Sequence, residues 1–318
     1  MRTSWWLGYL SLLLAISWVY LGLGHYQFEW WPSSPIQQQL WLDIRLPRLT
    51  LAWLNGFALA SAGAILQVIL RNPLAEPGLT GVAGGAAVAT VLVLYLGWLG
   101  ALSWWLPLVG MLGGALSLLV LLVIAGRKAS GNELILAGVA VSAVAGAMLA
   151  VILNMAANPY AFQELSLWMM GSVSNRGWPQ VWLIGPCIVL GGLICWRQRG
   201  FINAHIFDQY TLLSLGFAYA RSMWLILIAV TSFVAGSVVS AGIIGFVGLI
   251  APHLVRLLGV HKPSTLVWRS AFCGGLLVVV VDGLVKWLPT PIELHLGVIA
   301  AVIGAPLLIV LLQRAGRA

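Results

Sequence analysis

The sequence predicts an all-α integral membrane protein of about ten transmembrane helices, and three observations carry that prediction. Of 318 residues, 61% are hydrophobic and only 8% charged, whereas a soluble domain carries roughly 25% charged residues. The mean hydropathy is +1.00, and the apolar residues fall in runs comparable to the ~20 residues that one helical crossing needs. The 17 tryptophans fit the aromatic belts at the two membrane surfaces. The alternating signature of a transmembrane barrel is not seen. With no large polar insertion and no internal repeat, residues 1–318 read as a single transmembrane domain.

Taken in order, the first apolar run lies near 5–24 behind the cationic start MRTS. It resembles a signal peptide, but it reaches membrane length without a small-x-small cleavage site and reads as a retained helix. Further runs lie near 46–69, 78–99, 102–125, 134–156, 180–196, 219–240, 243–258, 266–287 and 294–313. The eighth is short and holds Pro252 and His253, so a tilted or broken helix is expected there. Small residues at spacings of four, Gly56/Ala60/Ala64 and Gly110/Gly114, are expected to bring helices close together. The formal net charge of +8 is unevenly distributed. Arg2, Arg71, Arg127, Lys128, Arg197, Arg199, Arg221, Arg256, Lys262, Arg269, Arg314 and Arg317 fall on the side of the N-terminus, while Arg45, Arg48, Arg176 and Lys286 fall on the other. Basic loops mark the cytoplasm, so both termini are expected inside, and the positive balance needs no nucleic-acid partner.

The stretch Gln67–Gly85, QVILRNPLAEPGLTGVAGG, departs from this apolar background. Pro73 and Pro77 lack donors and bias Asn72 and Glu76 away from the helical region, so a compact polar turn is predicted between two helices. Gly84 and Gly85 behind it would admit another backbone or a bulky solute. A plain connector needs none of this, and the turn is expected to line a pathway. Arg45 and Arg48 flank Pro47 at the start of the second helix, where cations oppose the helix dipole. They read either as a site for an external anionic partner or as anchors in lipid phosphate, or as partners of Asp43. Asp282 and Lys286 are in the favourable order for an i,i+4 pair. Residues 197–221 form the longest polar insertion on the N-terminal side, consistent with two short helices along the membrane face.

Enzymatic readings find little support. The histidines are scattered, Cys187, Cys195 and Cys273 sit singly in apolar runs, and no HExxH, Cys/His cluster or GxxxxGK[ST] occurs.

The segments IRLPR (44–48), SAGAILQVILRNPLAEPGLTGVAGGAA (61–87), ELILAGVAVS (133–142), LWMMGS (167–172), AGIIGFVGLIAPHLVRLLG (241–259) and LGVIAAVIGAPLLIVLL (296–312) resemble one family. That family is the permease subunits of ABC importers for cobalamin, ferric siderophores and haem. NPLAEPGLTGV looks most like the cobalamin members. The resemblance implies a type II importer permease fold, a homodimer around a central pathway, two cytoplasmic ATPase subunits and a periplasmic binding protein. It implies cobalamin (vitamin B12) as cargo and a place in the bacterial inner membrane. ATP and Mg would be bound by the ATPase subunit, with no cofactor or metal in this chain. Asn72, Pro73 and Leu74 match the cytoplasmic gate, and Ser130, Gly131 and Asn132 its second segment. Arg45, Arg48 and Lys286 match residues that dock the binding protein. The coupling segment, about 203–221, matches the importer pattern E-x-x-A-x-x-L-G only at Leu215-Gly216, with Gln209 and Leu212 in place of Glu and Ala and Asp208 one position early. Ferric-siderophore or haem transport is the alternative, and an ion-coupled secondary transporter the rival class.

Overall fold

A computed structural model describes residues 2–23, 31–32, 34–126, 131–156, 158–288 and 294–315. The described chain is helical: α1 Arg2–Gly22, α2 Pro35–Leu40, a π-helical turn Trp41–Arg45, α3 Leu46–Ile69, α4 Val82–Tyr95, α5 Leu106–Ala125, α6 Gly131–Asn154 and α7 Pro159–Met169. Then follow α8 Trp178–Arg197, α9 Arg199–Ala204, α10 Gln209–Ser214, α11 Tyr219–Ala241, α12 Val247–Leu257, α13 Pro263–Trp287 and α14 Leu296–Ala315. Six of the described helices are long and apolar enough to cross a membrane, and four shorter apolar ones accompany them, so the ten predicted runs each have a helix. Pro107, Pro179 and Pro263 sit in the first turns of α5, α8 and α13, where a missing N–H does no harm.

The centre of the bundle is α3, which lies along α13 and also touches α8, α11 and α12. Glycine makes this possible. A Cβ on Gly56 would sit 2.1 Å from the Gly274 carbonyl oxygen of α13, and one on Gly63 would sit 2.0 Å from that of Gly248 in α12. Gly110 and Gly114 of α5 likewise face Ala235 of α11 and Val82 of α4, so both small-residue patterns serve packing within the chain. Lipid gives helices no hydrophobic reason to associate, and close backbone approach supplies dispersion contact instead. Buried polar groups add links: Ser237 of α11 donates to Asn55 Oδ1 of α3 at 2.7 Å, and Asn55 Nδ2 donates to the Leu51 carbonyl at 2.8 Å.

The short eighth crossing is as expected, and its cause lies before it. Residues 242–246 are not helical, Gly242 has φ +77°, and Phe246 has φ +65° immediately before α12. Two loops and the first turn of α14 meet here without side chains between them. A Cβ on Gly242 would lie 2.0 Å from Trp168 O, one on Gly171 2.2 Å from Ile243 O, and one on Gly297 2.4 Å from Met170 O. Ser172 N donates to Ala241 O at 2.7 Å, and Gly297 N to Gly171 O at 3.1 Å.

Candidate gate, coupling segment and outer basic cluster

Of the described helices, α3 separates two polar ends of the bundle. Its 24 residues span about 36 Å at 1.5 Å per residue, with the Asn72 turn beyond one end and Arg45 at the other.

At the first end, residues 70–81 form the predicted turn. Asn72 is buried, and its Oδ1 accepts the Leu74 amide at 2.9 Å while its own amide donates to Gln67 O at 3.1 Å. Ala75 N donates back to Asn72 O at 3.1 Å, so Asn72 fixes the turn with both side chain and backbone. Pro73 is exposed and Leu74 half-buried. Leu70, Asn72, Leu74 and Thr80 line a cavity of about 180 Å³ whose far wall includes Leu134 and Ile135 of α6. The first turn of α6 therefore faces the Asn72 turn. Ser130 lies outside the described residues, and Gly131 and Asn132 open α6.

Within this chain Gly84 and Gly85 both lie at helix contacts. A Cβ on Gly85 would lie 1.9 Å from Ser117 Oγ and 2.5 Å from Gly113 O of α5, and one on Gly84 2.9 Å from the Ala145 Cβ of α6. Gly85 is buried at this contact.

Residues 199–216 form the two short helices α9 and α10 at the same end. Asp208 caps α10 by accepting the Thr211 amide at 2.8 Å, and that hydrogen bond holds its carboxyl below the usual range. Gly216 ends α10 with φ +81°, its amide donating to Leu213 O and that of Phe217 to Leu212 O. Beneath, Phe201 packs edge-on to Phe217 and Tyr219 at 5.8 Å each and to His205 at 4.5 Å. Burial pushes the His205 pKa down, which favours the neutral ring. Asp208, Gln209, Leu215 and Gly216 are exposed, and so is Tyr210 at 80%. Leu212 is fully buried, so this position anchors α10 and presents nothing outward. The segment and the turn touch: the Arg71 guanidinium donates from Nη2 to the Phe207 carbonyl. No spacing in the sequence signals that bond, which spans 136 residues.

At the other end, the arginines differ from one another. Arg45 Nη1 donates to Leu21 O at 2.7 Å and remains half-buried. Arg48 is 8% exposed, with Nε donating to Asp282 Oδ2 at 2.9 Å and Nη2 to Asp282 Oδ1 at 3.0 Å. Tyr20 donates its hydroxyl to the same Oδ2. Lys286 Nζ lies 4.2 Å from the centre of the Tyr20 ring and donates to Tyr20 O at 3.3 Å. Asp282 thus serves Arg48 and Tyr20, with Lys286 one turn further along α13 against the Tyr20 ring, and the cluster ties α1, α3 and α13 together. Arg48 also lies deeper than an outward docking role expects, because a guanidinium in so apolar a setting is stable only beside its carboxylate.

Among the described residues no group of three or more His, Cys, Asp or Glu side chains could hold a metal ion.

The chain is 34% identical over 316 residues to the vitamin B12 import system permease protein BtuC of Escherichia coli O17:K52:H18, covering 97% of this chain and 91% of the relative. It is also 34% identical over 280 residues to the iron(3+)-hydroxamate import system permease protein FhuG of Bacillus subtilis, covering 86% and 83%. A solved structure of a metal-chelate type ABC transporter in an inward-facing conformation matches with a TM-score of 0.81 and 28% identity, over 96% of this chain and 97% of that one. PsaBC from Streptococcus pneumoniae, at 15% identity and a TM-score of 0.58, shares the fold. The model of the FecCD transport family matches residues 9–314. This chain belongs to the FecCD family: it is the permease, a transport component and not an enzyme, of an ABC importer of the cobalamin and siderophore type.

Proposed function

We propose that this permease carries cobalamin across a bacterial inner membrane by alternating access, as a homodimer driven by two ATPase subunits on the cytoplasmic side. Both termini would be cytoplasmic, ATP and Mg would reside on the ATPase, and a periplasmic binding protein would deliver the cargo. The observation that supports this reading most is the bond between Arg71 and Phe207, which joins the Asn72 turn to the exposed α9–α10 segment. A push on Asp208, Gln209, Leu215 and Gly216 by the ATPase would reach the turn directly. Leu212 would hold α10 to the bundle while its neighbours make the contact.

Asn72, Pro73 and Leu74 would then form the cytoplasmic gate against the segment 130–132 and the start of α6. ATP must bind one of the two arrangements better than the other for such a change to be driven. The homodimer would cover apolar side chains that α6 leaves open, such as Leu136, Val144 and Val151. At the outer end, Arg45 and Lys286 would meet acidic residues of the binding protein, with Arg48 and Asp282 bracing the rim from within.

Uptake tests the cargo. Proteoliposomes holding the permease, its ATPase and a cobalamin-binding partner are expected to accumulate labelled cobalamin only with internal ATP and external binding protein. The equal identity to an iron(3+)-hydroxamate permease favours a ferric hydroxamate as the second reading. Uptake of that chelate and not of cobalamin would replace the first.

A further inference from the structure

Glu76 is the one acid of the Asn72 turn, and neither the coupling segment nor the outer cluster uses it. It is 4% exposed, and its Oε1 accepts the backbone amide of Phe246, the left-handed residue that opens α12. Gly78 and Gly245 flank that oxygen: a Cβ on either would lie 3.7 or 3.9 Å from it. Nearby, Gln67 Nε2 donates to Gly248 O at 3.2 Å, and Pro77 packs against Gly248. The Phe246 ring in turn lies against Gly304 of α14. The carboxyl therefore bridges the turn to a corner that packs on α14.

We propose that Glu76 is the positioning residue of the gate: its buried carboxyl pins the turn to the Phe246 corner, and opening the gate draws that carboxyl into water. This rests on the reading of the turn as the gate.

Burial raises the Glu76 pKa from its ordinary 4.5 to about 7, opposed only in part by the Phe246 amide. The charged and titratable groups carried by the turn, by α6 across the cavity and by α12 behind Phe246 are Arg71, bonded to Phe207, Glu133 in the first turn of α6, and His253 and Arg256 on α12. The last two lie about two and three turns beyond Phe246. The sign follows from linkage. The pinned arrangement binds the proton more tightly than a hydrated carboxyl does, so its advantage is full in acid and is lost as pH rises through about 7. If opening restores the ordinary value, the opening equilibrium grows by about tenfold between roughly pH 6 and pH 8.

The test uses the assembled importer in nanodiscs, with one reporter cysteine at Leu79, which lines the cavity and is 38% exposed. A reference cysteine at exposed Ala101, in the loop before α5, corrects for ionisation of the thiol itself. Labelling by a soluble maleimide at position 79, relative to 101, is expected to rise at least about threefold from roughly pH 6 to pH 8. In Glu76→Gln, a neutral isostere, the ratio is expected to stay flat. Where Glu76→Gln does not assemble, the profile of the native residue decides alone. A flat native profile, or a Glu76→Gln profile that rises like the native one, overturns the proposal. A non-hydrolysable ATP analogue separates the two readings. If nucleotide changes the labelling while pH does not, the pin is wrong and the gate stands. If pH changes it while nucleotide does not, the pin stands and the gate reading fails.

Discussion

Arg48 offers the sharpest perturbation at the outer end. Replacing it with Met keeps the length of the side chain and removes the guanidinium, leaving Asp282, 1% exposed, with the Tyr20 hydroxyl. Breaking a buried, bidentate pair from one side typically costs about 3–5 kcal/mol, because the remaining charge is desolvated without compensation. The Tyr20 hydrogen bond retains part of the stabilisation, so the lower end of that range, about 3 kcal/mol, is expected for Arg48→Met. Asp282→Asn should lose a similar amount, since the bidentate carboxylate that faces the Arg48 guanidinium is then gone. The double variant Arg48→Met/Asp282→Leu removes both charges and should recover most of the loss, giving a large coupling energy in a double-mutant cycle. Unfolding of the purified permease by SDS, followed by circular dichroism, reads all four proteins. A loss for the single variants below about 1 kcal/mol, the range of solvated pairs, would refute the reasoning. It would mean that the guanidinium is free to face an external partner.

Other consequences are separately measurable. Leu74→Ala should raise nucleotide-independent leak of cargo from proteoliposomes, with assembly intact; an unchanged leak counts against Leu74 as a gate. Gly216→Leu forces a side chain into φ +81°, a strain of about 1–2 kcal/mol. Nothing within 4 Å would clash with a Cβ there, so the fold should survive while ATPase co-purification or coupled transport falls; normal values for both remove the contact from this segment. Gly63→Ala should reduce stability severely, because its methyl would lie 2.0 Å from Gly248 O, and a melting temperature equal to that of the native chain would contradict the packing. Arg45→Glu should weaken binding-protein affinity by about tenfold, equivalent to about 1.4 kcal/mol, without changing basal ATPase activity, as titration calorimetry and phosphate release can show.

The helices were legible because lipid demands apolar runs of membrane length, and each predicted run has its helix. The Asn72 turn was legible for a related reason: prolines and polar residues have no place in a crossing unless something requires them. What the sequence could not convey was pairing at long range. Asp282 stands four residues before Lys286, and local spacing points there, yet its carboxylate meets Arg48 across 234 residues. Gly85 reads equally well as an opening or as a close contact, and only the position of Ser117 decides between them. Leu212 and Leu215 look alike in an apolar stretch, but α10 turns the first inward and the second outward. Glu76 was visible as an acid in the turn, and its partner, a backbone amide 170 residues away, was not.

Movement of the Asn72 turn with nucleotide is the central claim, and a distance across the dimer tests it most directly. Spin labels on cysteines at exposed Pro73 of both copies report that distance in the assembled importer. The account predicts two distinct distance distributions, one without nucleotide and one with a non-hydrolysable ATP analogue, and a return to the first on washing the analogue out. A single distribution in both conditions, in a labelled importer that still transports its cargo with ATP, would contradict it.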